Sequence, residues 1–117
     1  MGQINIKTTL IFEGKTTENQ MKGNLLDKKL IYEENNSLVS ILIDKKSVNM
    51  VAKDEEHILD LTFKNGESTK GVYTLFRTNS CIDIDIFTKL LQIGDNCIKI
   101  IYIFNNEERT YEIEYEV

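Results

Sequence analysis

Polar and apolar residues alternate with a period of two along almost the whole chain, and this restricts the fold more than any single motif does. "CIDIDIF" at 81–87 sets Asp83 and Asp85 between Ile82, Ile84 and Ile86; "TYEIEYEV" at 110–117 does the same with Glu112, Glu114 and Glu116. Successive side chains of a strand point to opposite faces, so each such segment has one apolar face and one wet face. No stretch of helical length carries a clean 3.6-residue stripe. Turn-forming clusters ("EGKTTEN", "LDKK", "ENNS", "DKKS", "KDEE", "KNGES", "RTNS", "IGDN", "NNEE") punctuate the runs. Their spacing predicts ten strands near 3–13, 18–26, 29–34, 37–43, 47–53, 57–64, 71–77, 81–92, 97–105 and 108–117.

If each turn closes a hairpin, apolar residues should face apolar residues across it. The expected partners are Leu10 with Met21 and Ile6 with Leu25, then Leu25 with Leu30, Tyr32 with Val39, and Ile43 with Val48. Further along, Met50 is expected against Leu59, Val48 against Leu61, Leu90 against Ile100, Ile86 against Phe104, and Tyr102 against Tyr111. Only "RTNS" leaves the register open. One apolar face thus runs through an up-and-down order of strands. Twisted antiparallel strands with one dry face curl and close, which removes exposed edges. The expected fold is all-β: one domain over 1–117, a single up-and-down antiparallel barrel of about ten strands. A two-sheet sandwich is the alternative. The paired aspartates and glutamates are then the solvated outer faces of half-buried strands.

With 117 residues the chain is long enough for one domain with a core and too short for two. Its net charge of −5 argues against a nucleic-acid partner and against an anionic membrane surface. No apolar run is long enough to span a bilayer as a helix. The start "MGQINIKTTL" lacks the apolar block of a signal peptide, and Ile6 stands where a myristoylation signal needs Ser or Thr. These features point to the cytoplasm, where Cys81 and Cys97 are expected to stay reduced. Richness in Ile, Lys and Asn, with no Pro or Trp, is read as the codon bias of an AT-rich, bacterial genome.

Few motifs carry chemistry. "GKTT" at Gly14–Thr17 resembles the end of a phosphate-binding loop, but Thr9 stands where its first Gly belongs, and no helix follows. Asp83 and Asp85 lack the Gly and terminal Glu of a calcium loop. Two distant cysteines and one histidine have no zinc spacing. His57 has no neighbouring Ser or Cys to activate, and "NNS" at Asn35 is a glycosylation sequon without meaning in the cytoplasm. No metal, cofactor or catalytic residue is expected, and the chain is read as non-enzymatic.

Position supplies the one site hypothesis. Connections alternate between the two barrel ends, and His57, Arg77, Arg109 and Glu34 fall at the same end. Phe12, Tyr32, Tyr102 and Tyr111 lie just beneath, all inward by parity, joined by Phe76 if the open turn is read that way. The far end is lined by Ile4, Leu25, Leu30, Val48, Leu61, Leu90 and Ile98, and is read as plugged. Cationic groups above tyrosines above an apolar cup suit a small amphipathic or carboxylate-bearing ligand. The candidate ligand-binding residues are Arg77, Arg109, Tyr32, Tyr102, Tyr111 and His57. The alternative is a barrel filled by its own side chains that acts through its exterior as a homodimer or adaptor. Phe87, Leu91, Ile101 and Ile103 face outward in the expected register, and such a patch has to be covered or used.

Residues 71–117 also resemble the C-terminal half of a bacterial family of unknown function, the YwiB-like barrels of calycin (lipocalin-like) type. The family pattern runs Gly-x-Tyr, a turn, alternating Ile/Leu ending in Thr, a turn, Ile-x-Ile-x-Tyr and a last alternating strand. The chain reads "GVY", "IDIDIFT", "IKIIYIF" and "TYEIEYEV", with "LIYEE" matching an earlier Tyr-x-Glu segment at Tyr32–Glu34. It departs at "RTNS", where the family carries Thr-Pro-aromatic-Gly, and it is short for the family. The resemblance implies a lipocalin-like barrel and no known activity.

Overall fold

The computed structural model describes residues 3–116; the Met-Gly start and Val117, the last residue of the last predicted strand, lie outside the described residues. Ten strands follow one another: β1 (Ile4–Phe12), β2 (Lys15–Leu26), β3 (Lys29–Glu34), β4 (Ser37–Ile43), β5 (Ser47–Lys53), β6 (His57–Lys64), β7 (Ser68–Leu75), β8 (Ser80–Ile93), β9 (Cys97–Phe104) and β10 (Glu107–Glu116). All neighbours are antiparallel, and β1 pairs with β10 as well as with β2, so the sheet closes into an up-and-down barrel. Closure gives every strand a hydrogen-bonded neighbour on both sides, although residues 15–22 of β2 pair with β1 alone.

The turns explain the register. Glu13-Gly14, Asn35-Asn36 and Asn105-Asn106 each have two residues at positive φ, between 52° and 75°. Paired positive-φ residues twist a two-residue turn the same way as the strands it joins, and Asn and Gly enter that region most cheaply. This corrects two expected registers. The first hairpin turns at Glu13-Gly14, so Leu10 meets Thr17 and Ile6 meets Met21. The last turns at the two asparagines, so Tyr102 meets Arg109 and Ile100 meets Tyr111. The β5–β6 connection is corrected in the other direction. Asp54 accepts hydrogen bonds from the backbone N–H groups of Glu56 and His57, at 2.8 and 2.9 Å, and widens the turn. Met50 therefore meets Leu61, and Val48 meets Phe63. Each of these shifts is even, so every residue keeps its face. The pairs Leu25–Leu30, Tyr32–Val39, Ile43–Val48 and Ile86–Phe104 stand as expected.

One shift is odd. A bulge between Thr88 and Leu90 inserts an extra residue in β8, after which Leu90 meets Ile101 and Leu91 meets Ile100. An extra residue on one strand exchanges its two faces from that point on. Leu91 therefore packs against the core, and Leu90 takes the outer position. The bulge is held by the β6–β7 connection: Gly66 N–H donates to Thr88 O at 2.8 Å, and Thr88 N–H to Glu67 O at 3.0 Å.

Leu30, Ile41, Val48, Phe63, Ile100 and Ile113 have no exposed surface and fill the barrel from the middle to the far end. Each such side chain contributes roughly 1.5–3 kcal/mol by burial. Asp83 and Asp85 lie outside in water, and Asp85 pairs with Lys70 across the strands. Lys7–Glu18, Lys89–Glu108 and Lys99–Glu112 add further ion pairs on the outer wall. Cys81 and Cys97 are free and exposed. Among the described residues no helix is long and apolar enough to cross a membrane.

Candidate functional site

Two different arrangements occupy the end of the barrel where His57, Arg109 and Glu34 gather. On the side of β1, β2, β3 and β10 the space is closed by polar side chains. Thr8 and Asn19 both donate to Oε2 of Glu34, Asn19 at 3.1 Å. Tyr111 donates to Oε1 of Glu34 at 2.9 Å, which leaves Tyr32 as the donor to Tyr111 at 2.7 Å. Burial, more than any other cause, pushes both phenols well above the usual tyrosine range, and the nearby Glu34 carboxylate adds to it. Each hydroxyl of this network, those of Thr8, Tyr32 and Tyr111, already has its partner. A satisfied polar network of this kind holds strands in one arrangement.

On the side of β6, β8 and β9 the space stays open as a cavity of about 220 Å³. Leu59, Leu61, Ile84, Ile86, Tyr102 and Phe104 form its wall, and Arg109 is the one charged residue on it among the described residues. Gly71 packs close behind one wall residue: a Cβ there would lie 2.6 Å from Leu61 Cδ2 and 2.7 Å from Asp60 O. Tyr102 packs on Phe63 with ring centroids 5.0 Å apart; burial raises its phenol pKa, opposed by the charge of Arg109.

Arg109 reaches this place because β10 closes on β1, which makes it the cross-strand partner of Phe12 on one side and of Tyr102 on the other. Its guanidinium lies 4.3 Å from the centre of the Phe12 ring and 5.5 Å from that of Phe104. Aromatic faces hold a guanidinium in place without using its N–H donors. Among the described residues its polar contacts are long: 3.4 Å to Phe104 O and 3.8 Å to Glu107 Oε1. The fork of donors is therefore oriented and largely unspent.

The remaining candidates separate. His57 stands at the rim with Nε2 3.2 Å from Asp54 Oδ2, a partner not visible in the sequence, and its ring lies 5.2 Å from that of Tyr73. Its Nδ1 is buried without a hydrogen-bond partner. Arg77 is exposed in the β7–β8 turn, away from the cavity wall. Phe76, next to it, is 43% exposed in the same turn rather than joining the tyrosines, and Ile82 is 51% exposed at the mouth although its parity is inward. So the structure brings Tyr102 and Arg109 onto the cavity and assigns Tyr32 and Tyr111 to the Glu34 network. Thr8 and Asn19 escaped the sequence reading. For Thr8 the signal was a polar residue at an inward-facing position between Ile6 and Leu10; Asn19 shares its face with Lys15 and Thr17 and carried no such contrast. The far end also differs from a simple plug: beyond its aliphatic filling lies a broad open hollow of about 940 Å³ between the ends of β1, β2 and β10 and the 95–97 turn. Its edge sets Lys7 and Lys22 among Asp95, Glu114 and Glu116, so charges of both signs meet there.

No protein-family model matches the chain, and no curated protein matches it. Among solved structures it is similar to the YwiB protein from Bacillus subtilis, with a TM-score of 0.73 and 18% sequence identity over 97% of this chain and 89% of that one. The fold is YwiB-like. At this identity the likeness concerns the course of the backbone, and the side chains around Arg109 speak for this chain alone. The resemblance read from residues 71–117 therefore extends, as fold, to nearly the whole barrel.

Proposed function

We propose that this chain is a calycin-type, non-enzymatic member of the YwiB-like barrels that works in the bacterial cytoplasm. It holds a small amphipathic, carboxylate-bearing molecule at the mouth of the barrel. The observation that carries this is the 220 Å³ apolar cavity with a single, poorly paired guanidinium on its wall. Ligand sites typically join an apolar cup to a few oriented polar groups, and a guanidinium fork matches a carboxylate in two parallel hydrogen bonds. Charged pairs on the outer wall and two free thiols fit the compartment. Displacement of an environment-sensitive apolar dye, followed by native mass spectrometry of the purified chain, tests the reading. Wild type should bind and release the dye, whereas Ile84→Trp, which fills the cavity, should not. Equal binding by both would remove the cavity from the account.

A second reading rests on the outer wall. Phe87, 39% exposed, lies opposite Ile103, and Leu90 opposite Ile101, so the apolar patch exists with Leu90 in the place expected for Leu91. Its simplest use is a homodimer. A Phe87→Glu variant that elutes at the size of wild type over a range of concentrations would remove that reading.

A further inference from the structure

The cavity restricts the ligand further than the word amphipathic does, and three independent observations set the limits. The first is volume. A cavity of about 150 Å³ accommodates a benzene ring, so the 220 Å³ here takes an apolar body of roughly nine heavy atoms. The second is depth. Below Leu61 and Ile86 the interior is solid: Phe63, Val48, Ile98, Ile100 and Thr88 have between 0% and 1% of their surface exposed. Sideways, the Glu34–Tyr111–Tyr32 chain fills the rest of the mouth. A long tail has nowhere to go without expelling core residues, and close-packed interiors do not yield in that way.

The third is charge. Arg109 is the single cation on the wall, and it already has Glu107 3.8 Å from its Nη2. The carboxylate of Glu34 is bonded to Tyr111, two residues further along the same face of β10. The wall thus offers one guanidinium fork, engaged only at long range by Glu107, and one such fork pairs with one carboxylate. A second anionic group would sit among like charges with no partner, which is unfavourable in a partly desolvated site.

We infer that the ligand is a short monocarboxylate with a compact apolar body, of the size of octanoate or 4-phenylbutyrate, its carboxylate on Arg109 and its body against Leu61, Ile84 and Ile86. The inference rests on the cavity reading of the preceding section. It rules out both long-chain fatty acids and dicarboxylates as good ligands. Phe12 and Phe104 act as positioning residues, because their rings flank the guanidinium at 4.3 and 5.5 Å.

Isothermal titration calorimetry of the full chain with octanoate, 1-octanol, octanedioate and palmitate tests it. Octanoate is expected to bind at least tenfold more tightly than the alcohol or the diacid, and palmitate no more tightly than octanoate. Arg109→Gln should lower octanoate affinity at least tenfold and leave 1-octanol unchanged, while Arg109→Lys keeps part of the octanoate affinity. Circular dichroism of each variant shows whether it has folded. Equal affinity for octanoate and 1-octanol, with both lost in Ile84→Trp, would overturn the charge selection and leave the cavity as a binding site. Affinity that keeps rising up to palmitate would overturn the size limit in the same way. No heat from any of the four compounds, together with dye binding that Ile84→Trp leaves intact, would overturn this inference and the cavity reading together.

Discussion

Tyr32 and Tyr111 are 79 residues apart in the chain, and their hydroxyl oxygens are 2.7 Å apart inside the barrel. The contact exists only because β10 closes on β1, which pairs with β2, which in turn pairs with β3. It reports closure of the barrel, and it should be sensitive to the loss of either partner. Tyr111→Phe leaves the Tyr32 hydroxyl and one oxygen of Glu34 without a partner in a buried setting, at a cost of about 1–3 kcal/mol. Urea denaturation should show the midpoint falling by a corresponding amount. A midpoint equal to that of wild type would mean the network contributes nothing to stability.

The same phenols predict an alkaline limit. Tyr32, Tyr102 and Tyr111 all have their pKa values raised in the folded state, mainly by burial. In the unfolded chain a tyrosine ionises near pH 10, so above that pH the unfolded state releases protons that the folded state keeps. Stability is therefore unaffected below about pH 10 and falls as pH rises beyond it, by up to ~1.4 kcal/mol per pH unit for each such group. Phenolate absorbance should rise in two stages, the second coinciding with loss of the β circular-dichroism signal. A single smooth titration with the fold intact would contradict the burial of these hydroxyls.

Gly71 lies against Leu61, a residue of the cavity wall. Gly71→Ala drives a methyl group toward Leu61 Cδ2 at 2.6 Å and Asp60 O at 2.7 Å, and the second is backbone that cannot rotate away. Overpacking of this kind costs typically 1–3 kcal/mol. Thermal melting should fall accordingly, with dye binding reduced in whatever fraction remains folded. Gly14→Ala is a different test: nothing lies within 4 Å of the added methyl, but its φ of 75° strains an L residue, so stability falls while the cavity is untouched.

Asp54 ties the β5–β6 turn to the rim histidine. Its carboxyl lies below the usual range, chiefly because the backbone N–H of Glu56 donates to it, with that of His57 and the His57 ring adding to the effect. A depressed carboxyl contributes stability above its unfolded pKa and loses it as pH falls through the folded value. The hairpin should therefore loosen in acid before the barrel opens. Faster amide exchange of Glu56 and His57 below about pH 4 would show it, and Asp54→Ala should bring the same change at neutral pH. An exchange rate independent of both would detach Asp54 from the turn.

The two faces of nearly every strand were legible in the alternation alone, and the reason lies in the arithmetic of pairing. The hairpins at Glu13-Gly14, Asp54–His57 and Asn105-Asn106 all sit in registers displaced by an even number from the simplest reading. An even displacement changes which residues are neighbours and leaves each one facing the same side. Leu91 is the exception, because the bulge after Thr88 is an odd step and turns the remainder of β8 over. No local signal announces that step. It is imposed from outside β8, by Gly66 and Glu67 bonding to the backbone of Thr88.

By itself, then, the order of residues determined which side chains face inward everywhere but the end of β8, that the strands run up and down, and that Arg109, His57 and Glu34 gather at one end. Alternation and turn chemistry are local properties, carried by neighbours within a few positions. Only the closed barrel decided that the mouth divides into a satisfied network around Glu34 and an open cavity under Arg109. That division depends on distances between strands far apart in the chain, and on how much of the interior each pair of facing side chains leaves unfilled.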